Sequence, residues 1–248
     1  DVYRAARGET VTSNTGQPFQ LIRPLDFLVL TDHAEAMGLA PMVRDSNPVL
    51  LSSKRGREVW EAFNAGGEQA MKAFGGLLAD VSAGVNPFAD IDMAGSVWPE
   101  FVKLADTYNQ PGVFTAMTGF EWTSQPNGNN LHRIVVFADG ADKTSLVQPF
   151  SMFDSQDPAK LWDYMERYEA STGGRVFAHV HNGNLSNGIA FTAATFDGTP
   201  MDAAYAARRA RWEPIMEITQ MKGDGETHPY LSPDDEFADF ERWDVANL

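Results

Sequence analysis

Cysteine is absent from the 248-residue sequence, and histidine is scarce, with five residues. The absence of cysteine excludes disulfides, thiolate catalysis and cysteine-type zinc sites. Histidine, aspartate and glutamate are therefore the side chains left to bind a metal ion or to transfer protons. Because the histidines are so few, the position of each one is informative.

Basic residues are also few: 19 Lys and Arg stand against 34 Asp and Glu, which gives a formal net charge of −15. Such a charge repels the phosphates of nucleic acids and anionic membranes. No apolar run approaches the roughly 18 residues that a membrane span requires, and the first residues lack the apolar core of a signal peptide. We therefore expect a soluble protein, in either the cytoplasm or the periplasm, with neither nucleic acid nor membrane as a partner.

Short apolar segments alternate with helical patterns along the chain. Five segments are predicted to be strands: LDFLVLT (25–31), GVFTAMTGFEW (112–122), LHRIVVFA (131–138), RVFAHVH (175–181) and EPIMEITQM (213–221). Helices are predicted over 53–81, with a break at Gly66 and Gly67, over 157–172 and over 201–212, whereas 82–98 and 123–130 are the most loop-like stretches. This alternation predicts a single α/β domain, 1–248, with a mostly parallel sheet that forms a barrel or a doubly wound layer.

Four of the five histidines lie at or beside predicted strands. His33 follows the first strand, His132 begins the third, and His179 with His181 end the fourth, while His228 follows the last one. In α/β folds, ligands bind at the carboxyl ends of the strands. A single histidine at a strand end is more often a hydrogen-bonded structural residue, but four of them together favour a functional site.

Glu121 interrupts the apolar end of the second strand, between Phe120 and Trp122. A carboxylate there is costly unless it is paired or bound to a cation. Neutral imidazoles with a carboxylate suit zinc, manganese or iron. His179 and His181 are two residues apart, so a regular strand would point both to one face, and the NGNLSNG segment after them is a candidate substrate loop.

Four segments in this order, FLVLTDHAE, GFEWTS with NLHRIVVF, AHVHNGNLSNG and EITQMKGDGETHP, resemble the bacterial family known as DUF3604, itself similar to the PHP (polymerase and histidinol phosphatase) superfamily of metal-dependent phosphoesterases. The resemblance implies a distorted (β/α)7-type barrel with two or three divalent ions, zinc, manganese or iron. Matched motif by motif, the metal ligands are His33, Glu121, His132 and His181. His179 departs from the family pattern, where an apolar residue is expected.

Residues near these ligands are candidates for further roles. Asp32 is expected either to orient a ligating imidazole or to cap the following turn. With His179 and His228, it is also a candidate to assist catalysis by a metal-activated water. A small anionic substrate is expected to contact Asn182, Asn184, Arg133 and Lys222. The expected activity is that of a metal-dependent hydrolase, a phosphoesterase first, with hydrolysis of another ester or an amide as an alternative at the same residues.

Two motifs of the PHP superfamily are missing, the HxH that ends its first strand and the DxH on a late strand. The sequence therefore resembles an internal fragment, and the predicted barrel lacks its first and last strands. Exposed sheet edges would then be covered by further copies of the chain. A truncated barrel with fewer ions or none, which binds a ligand or partner without turnover, is the alternative to an enzyme.

Overall fold

The computed structural model describes residues 1–224, 229–230 and 232–239. Its centre is a curled, mixed five-stranded sheet in the order β3-β4-β5-β6-β7. These strands are β3 (Phe27–Leu30), β4 (Thr115–Trp122), β5 (Arg133–Phe137), β6 (Val176–Val180) and β7 (Ile215–Met216). Two short antiparallel pairs lie apart from it: β1 (Val11–Thr12) with β2 (Pro18–Phe19), and β8 (Thr219–Gln220) with β9 (Gly223–Asp224).

Helices surround the sheet in the described part of the chain. They are α1 (Val2–Ala6), α2 (Leu39–Arg44), α3 (Pro48–Ser52), α4 (Lys54–Ala65), α5 (Gly67–Ser82), α6 (Met93–Tyr108), α7 (Ala141–Thr144), α8 (Pro158–Thr172) and α9 (Ala203–Trp212). Short 3-10 turns span Ala34–Ala36, Pro126–Gly128, Gly183–Leu185 and Ile189–Phe191. Among the described residues, no helix combines the length and the apolar character that crossing a membrane requires.

The prediction of a mostly parallel sheet in a (β/α)7-type barrel is wrong. The outer pairs β3–β4 and β6–β7 are parallel, but the inner pairs β4–β5 and β5–β6 are antiparallel. A parallel crossover needs a dozen or more residues, usually with a helix, and the segment between Trp122 and Arg133 is too short for one. The connection from β5 to β6 contains α7 and α8, which is typical of a parallel crossover, yet β6 pairs antiparallel with β5. The local sequence does not encode this direction.

The predicted elements themselves are largely present. Helix α8 begins after the N-cap Asp157, whose side chain accepts from the Ala159 N–H, and it ends at Gly173 in the left-handed region. The predicted break between α4 and α5 occurs at Gly66, which has φ 69°. The loop predicted at 82–98 is wrong at its end, because α6 begins at Met93 after its cap Asp92 and continues through Pro99.

The two faces of the sheet differ in chemistry. One face packs Phe120, Trp122 and Val135 against α6 and α8 in the main hydrophobic core. Since side chains alternate along a strand, the opposite face carries Glu121 and Ile134, which are paired with each other, and His179, which is paired with Ile134. The core thus fixes the strand positions from one side and leaves Glu121 and His179 on the other, among apolar residues such as Ile134.

Candidate functional site

Residues at the ends of four neighbouring strands, β3 to β6, lie close together at one end of the sheet. His33 follows β3 and forms a parallel bridge with Glu121, near the end of β4. His132 immediately precedes β5, and its carbonyl accepts a hydrogen bond from the His181 N–H, just after β6, at 3.1 Å. Because β5 is antiparallel to its neighbours, its amino end lies beside their carboxyl ends. His132 therefore joins the group from the start of a strand.

The Glu121 carboxylate lies at the centre of this group and is 6% exposed. Its Oε1 is 3.0 Å from Nδ1 of His132 and 3.9 Å from Nε2 of His181. Its Oε2 is 3.6 Å from Nδ1 of His33. The structure thus brings together all four residues that the sequence proposed as metal ligands, around one buried carboxylate.

Burial and charge act in opposite directions on these groups. Burial acts to raise the pKa of Glu121, but the imidazoles of His132, His33 and His181 outweigh it and hold that pKa below its ordinary value. Burial lowers the pKa of His132 more than the Glu121 carboxylate raises it. Near neutral pH the site therefore contains an ionised carboxylate beside a neutral His132 imidazole.

Glu217, just beyond β7, holds the His181 ring. Its Oε2 accepts from Nδ1 of His181 at 2.5 Å, and its Oε1 accepts from the Asn182 N–H at 3.2 Å and from Nε2 of Gln220 at 2.9 Å. Burial would raise the pKa of Glu217, yet the bond to His181 and its charge lower it overall. The His181 ring is thereby fixed with Nε2 turned toward Glu121, an arrangement that orients metal-binding imidazoles in proteins.

Glu217 and Gln220 are members of this site that the sequence analysis missed. Both lie inside the segment EPIMEITQM, which was assigned to a strand without chemistry. The signal was the same as for Glu121, a carboxylate within an apolar run. Glu217 was therefore recognisable from the sequence on the same ground as Glu121.

Asn182 links the two halves of the site. It is 4% exposed, its Nδ2 is 3.0 Å from Nδ1 of His132, and its Oδ1 accepts from Nε2 of Gln220 at 2.6 Å. It has φ 55°, the left-handed conformation that asparagine tolerates better than most residues. The structure thus places Asn182, proposed from the sequence as a substrate contact, against the His132 ring.

His33 and Glu35 are connected through Thr123. Nδ1 of His33 and Oγ1 of Thr123 are 2.7 Å apart, and Oε1 of Glu35 accepts from the backbone N–H groups of Thr123 and Met152 at 3.1 and 2.8 Å. Glu35 is 7% exposed, and burial raises its pKa despite these hydrogen bonds. Glu35 carries no predicted role, and in the structure its carboxylate supports the loop beside His33.

The other proposed residues lie in different surroundings. Asp32 is exposed, and its carbonyl accepts from the Glu121 N–H at 2.9 Å. His179 shares the sheet face of Glu121, but its Nδ1 lies 3.1 Å from the carbonyl oxygen of Val180, and burial lowers its pKa. Asn184 donates from Nδ2 to the Lys222 carbonyl at 3.1 Å. His228 lies outside the described residues.

Arg133 is on the opposite face of the sheet from Glu121. It pairs in register with Trp122, is 2% exposed, and donates from Nε to Oε1 of Glu213 at 2.8 Å. The predicted substrate contact from this residue therefore would have to be made on the helix-covered side of the sheet, away from the imidazoles.

Three imidazoles and a carboxylate are chemically suitable ligands for a divalent ion. Their arrangement, however, does not form a complete set of ligands around one ion. Nε2 of His132 is buried and has no hydrogen-bond partner in the described part of the chain. Such an orphaned atom is costly unless something binds it. Within residues 1–224, 229–230 and 232–239, however, no three His, Asp or Glu side chains are arranged to hold one ion.

Comparison with known proteins gives one result. No curated protein and no solved structure was found to be similar to this chain. The model of a protein family described as "Protein of unknown function (DUF3604)" matches residues 1–248. Since this match spans every residue, the chain belongs to the DUF3604 family.

Proposed function

We propose that this chain is a metal-dependent hydrolase of small anionic esters, with phosphoesters as the first class to test. The observation that carries the proposal is the convergence of three imidazoles, from His33, His132 and His181, on the buried Glu121 carboxylate. Likeness to the PHP phosphoesterases, which rests on the sequence motifs alone, is part of this proposal.

A divalent ion held by these four residues would supply a water of lowered pKa and neutralise negative charge on a phosphoryl or acyl oxygen. The protein would contribute the rest of the chemistry. Glu121 provides the negative charge that favours a cation, and His132 is kept neutral by burial, so that a ring lone pair is available. Glu217 fixes the direction of the His181 ring.

The position of His33 suits a group at the mouth of the site. Its side chain is 61% exposed, whereas those of His132 and His181 are 7% and 18% exposed. A substrate entering from solvent would meet His33 first. The inner imidazoles would then be shielded from water, which strengthens their interaction with charge.

The second candidate is binding of a ligand or partner without turnover. The observation in its favour is that the described residues contain no set of three ligands arranged around one ion. An ion held by fewer than three ligands binds weakly, and the residues around Glu121 would then recognise a ligand without cleaving it. The two candidates share their residues and differ in whether an ester is cleaved.

The test begins with elemental analysis of the purified chain after incubation with Zn²⁺, Mn²⁺ or Fe²⁺ and removal of excess ion. The same samples are screened with phosphomonoesters, phosphodiesters and carboxylate esters. We expect bound metal and hydrolysis in the wild type, and loss of both in the His33→Ala, Glu121→Ala double variant. Glu166→Gln, which changes a carboxylate whose side chain is 68% exposed, is the matched control.

Each result selects one candidate. Metal binding with hydrolysis that the double variant abolishes supports the enzyme. Metal or ester binding without hydrolysis favours the recognition site. No bound metal, together with no activity that depends on Glu121, would overturn the hydrolase proposal.

A further inference from the structure

A cavity of about 460 Å³ lies on the helix-covered side of the sheet, between α8, α9 and residues 189–198. None of the residues around it belongs to the group at Glu121. Its walls are mostly apolar and aromatic, with Leu131, Trp162, Ile189 and Tyr205 among them. The volume and the apolar walls are typical of sites for small molecules.

Two arginines line the same cavity, Arg133 and Arg209, and no aspartate or glutamate among the described residues does so. The side chains of Arg133 and Arg209 are 2% and 22% exposed. In a chain of net charge −15, this is a local concentration of positive charge. Buried charges are expensive unless they are compensated.

Glu213 compensates these arginines only in part. Its Oε1 lies 2.8 Å from Nε of Arg133 and its Oε2 lies 3.3 Å from Nε of Arg209, so one carboxylate serves two guanidinium groups. Nε1 of Trp162 also donates to Oε1 of Glu213, at 3.0 Å. One positive charge in this cluster is therefore left over beside an apolar cavity.

We propose that this cavity binds a small molecule with an anionic head group and an apolar, preferably aromatic, body. The anion lies against Arg209 and Arg133, and the body packs on Trp162 and Tyr205, whose ring centroids are 5.1 Å apart. Nη1 of Arg133 donates to the carbonyls of Leu131 and His132, and Nη2 of Arg209 donates to the carbonyl of Ala190. The anion is therefore expected to contact the other terminal nitrogen of each guanidinium group, which a carboxylate and a phosphate can do equally.

The cavity is separate from the proposed hydrolytic centre, although Nη1 of Arg133 donates to the His132 carbonyl at 3.1 Å. Arg133 and Glu121 lie on opposite faces of the sheet, because Glu121 pairs in register with Ile134 and Arg133 with Trp122. Binding in the cavity therefore requires no metal ion. Failure of the hydrolase proposal would leave this one untouched, and the reverse also holds.

Binding is measured by calorimetry and ligand-observed NMR on the whole chain in EDTA. The probes are benzoate and phenyl phosphate, which separate the two sources of negative charge, and benzamide as the neutral isostere. We expect the anions to bind more tightly than benzamide. Arg209→Gln leaves one arginine for one carboxylate, and it should weaken anion binding by at least about tenfold.

Arg211→Gln is the matched control, because Arg211 is on the same helix, pairs with Glu169 at 2.7 Å and does not line the cavity. It should leave binding unchanged. Ala194→Trp, which adds a large side chain to the wall of the cavity, should abolish binding and serves as a second test if Arg209→Gln fails to fold. Equal binding of benzamide and benzoate, equal loss in Arg209→Gln and Arg211→Gln, or full binding in Ala194→Trp would overturn the proposal.

Discussion

Nδ1 of His181 donates a hydrogen bond to Oε2 of Glu217 at 2.5 Å, and Nε2 of the same ring lies 3.9 Å from Oε1 of Glu121. The two nitrogens of one imidazole thus each face a carboxylate, Glu217 just beyond β7 and Glu121 on β4. Glu217 sets the orientation of the His181 ring. Glu121 lies beside Nε2, where a metal ion bound by that nitrogen would also lie.

Replacing Glu217 with glutamine tests this orientation. The variant keeps the size of the side chain but loses its charge, so the His181 ring is held less firmly by its hydrogen bond to residue 217. We expect the affinity for Zn²⁺ or Mn²⁺ to fall about 10- to 100-fold, as measured by competition with a chelating dye. Glu166→Gln should retain wild-type affinity, and an unchanged affinity in Glu217→Gln would contradict the orienting role.

Replacing Glu121 with glutamine should abolish stabilisation by metal ions. An ion that binds only the folded state stabilises it, by about 2.7 kcal/mol at a hundredfold excess over its dissociation constant. Thermal unfolding with and without Mn²⁺ should therefore show a rise in melting temperature for the wild type and none for Glu121→Gln. Glu100→Gln, at an exposed ion pair with Lys103, is the control and should behave as the wild type. An equal rise in Glu121→Gln would place the ion elsewhere.

Gly119, two residues before Glu121 on β4, should not tolerate a side chain. An added Cβ would lie 2.6 Å from the Val135 carbonyl oxygen and 2.8 Å from Cγ1 of Val29. We expect Gly119→Ala to lower the free energy of unfolding by roughly 1 to 3 kcal/mol, the usual cost of overpacking. Urea denaturation measures the change.

The control for this substitution is Gly75→Ala, within α5, where an added Cβ meets nothing within 4 Å. Alanine there should raise the free energy of unfolding by about 0.5 to 1 kcal/mol through helix propensity. If the two variants shift stability in the same direction, the crowding around Gly119 is not what excludes a side chain.

Glu35 should make stability depend on pH. In the unfolded chain it titrates near the ordinary pKa of 4.5, whereas burial raises its pKa in the folded state. Between these two values the folded state binds more protons than the unfolded state. The free energy of unfolding therefore falls as the pH rises through that range.

The variant Glu35→Gln has no carboxyl group to ionise and should escape this fall. Its melting temperature relative to the wild type should increase as the pH rises above the ordinary pKa of 4.5. The exposed Glu61→Gln should track the wild type at every pH. A constant difference between Glu35→Gln and the wild type would show that Glu35 does not titrate differently in the two states.

The sequence predicted the elements better than their arrangement. Helix α8 was predictable because Asp157, Pro158 and Gly173 act locally at its ends. Helix α6 was not, because Pro99 normally interrupts a helix and here lies within one. The direction of β5 depends on the connections around it and on contacts far along the chain, which a pattern within one segment cannot report.

The site was predictable to the extent that each residue carries its own signal. Glu121 and the histidines were identified from their places at apolar strand ends, whereas the support from Glu217 depends on β7 lying beside β6. Arg133 lies away from Glu121 because the pleat of β5 turns Arg133 and Ile134 to opposite faces of the sheet. The register of the sheet decides which residues of β5 share a face with Glu121. Register depends on contacts between distant segments, so a single segment does not reveal it.

The strand that carries Glu217 to the site has two residues and lies at the edge of the sheet. An edge strand of this length opens by fraying, at a free energy well below that of global unfolding. Release of β7 withdraws Glu217 from His181 while β4, β5 and the core behind them stay packed. Backbone amides near residue 217 should therefore exchange with deuterium before those of β4, and the geometry of His181 is governed by a local equilibrium separate from the stability of the whole protein.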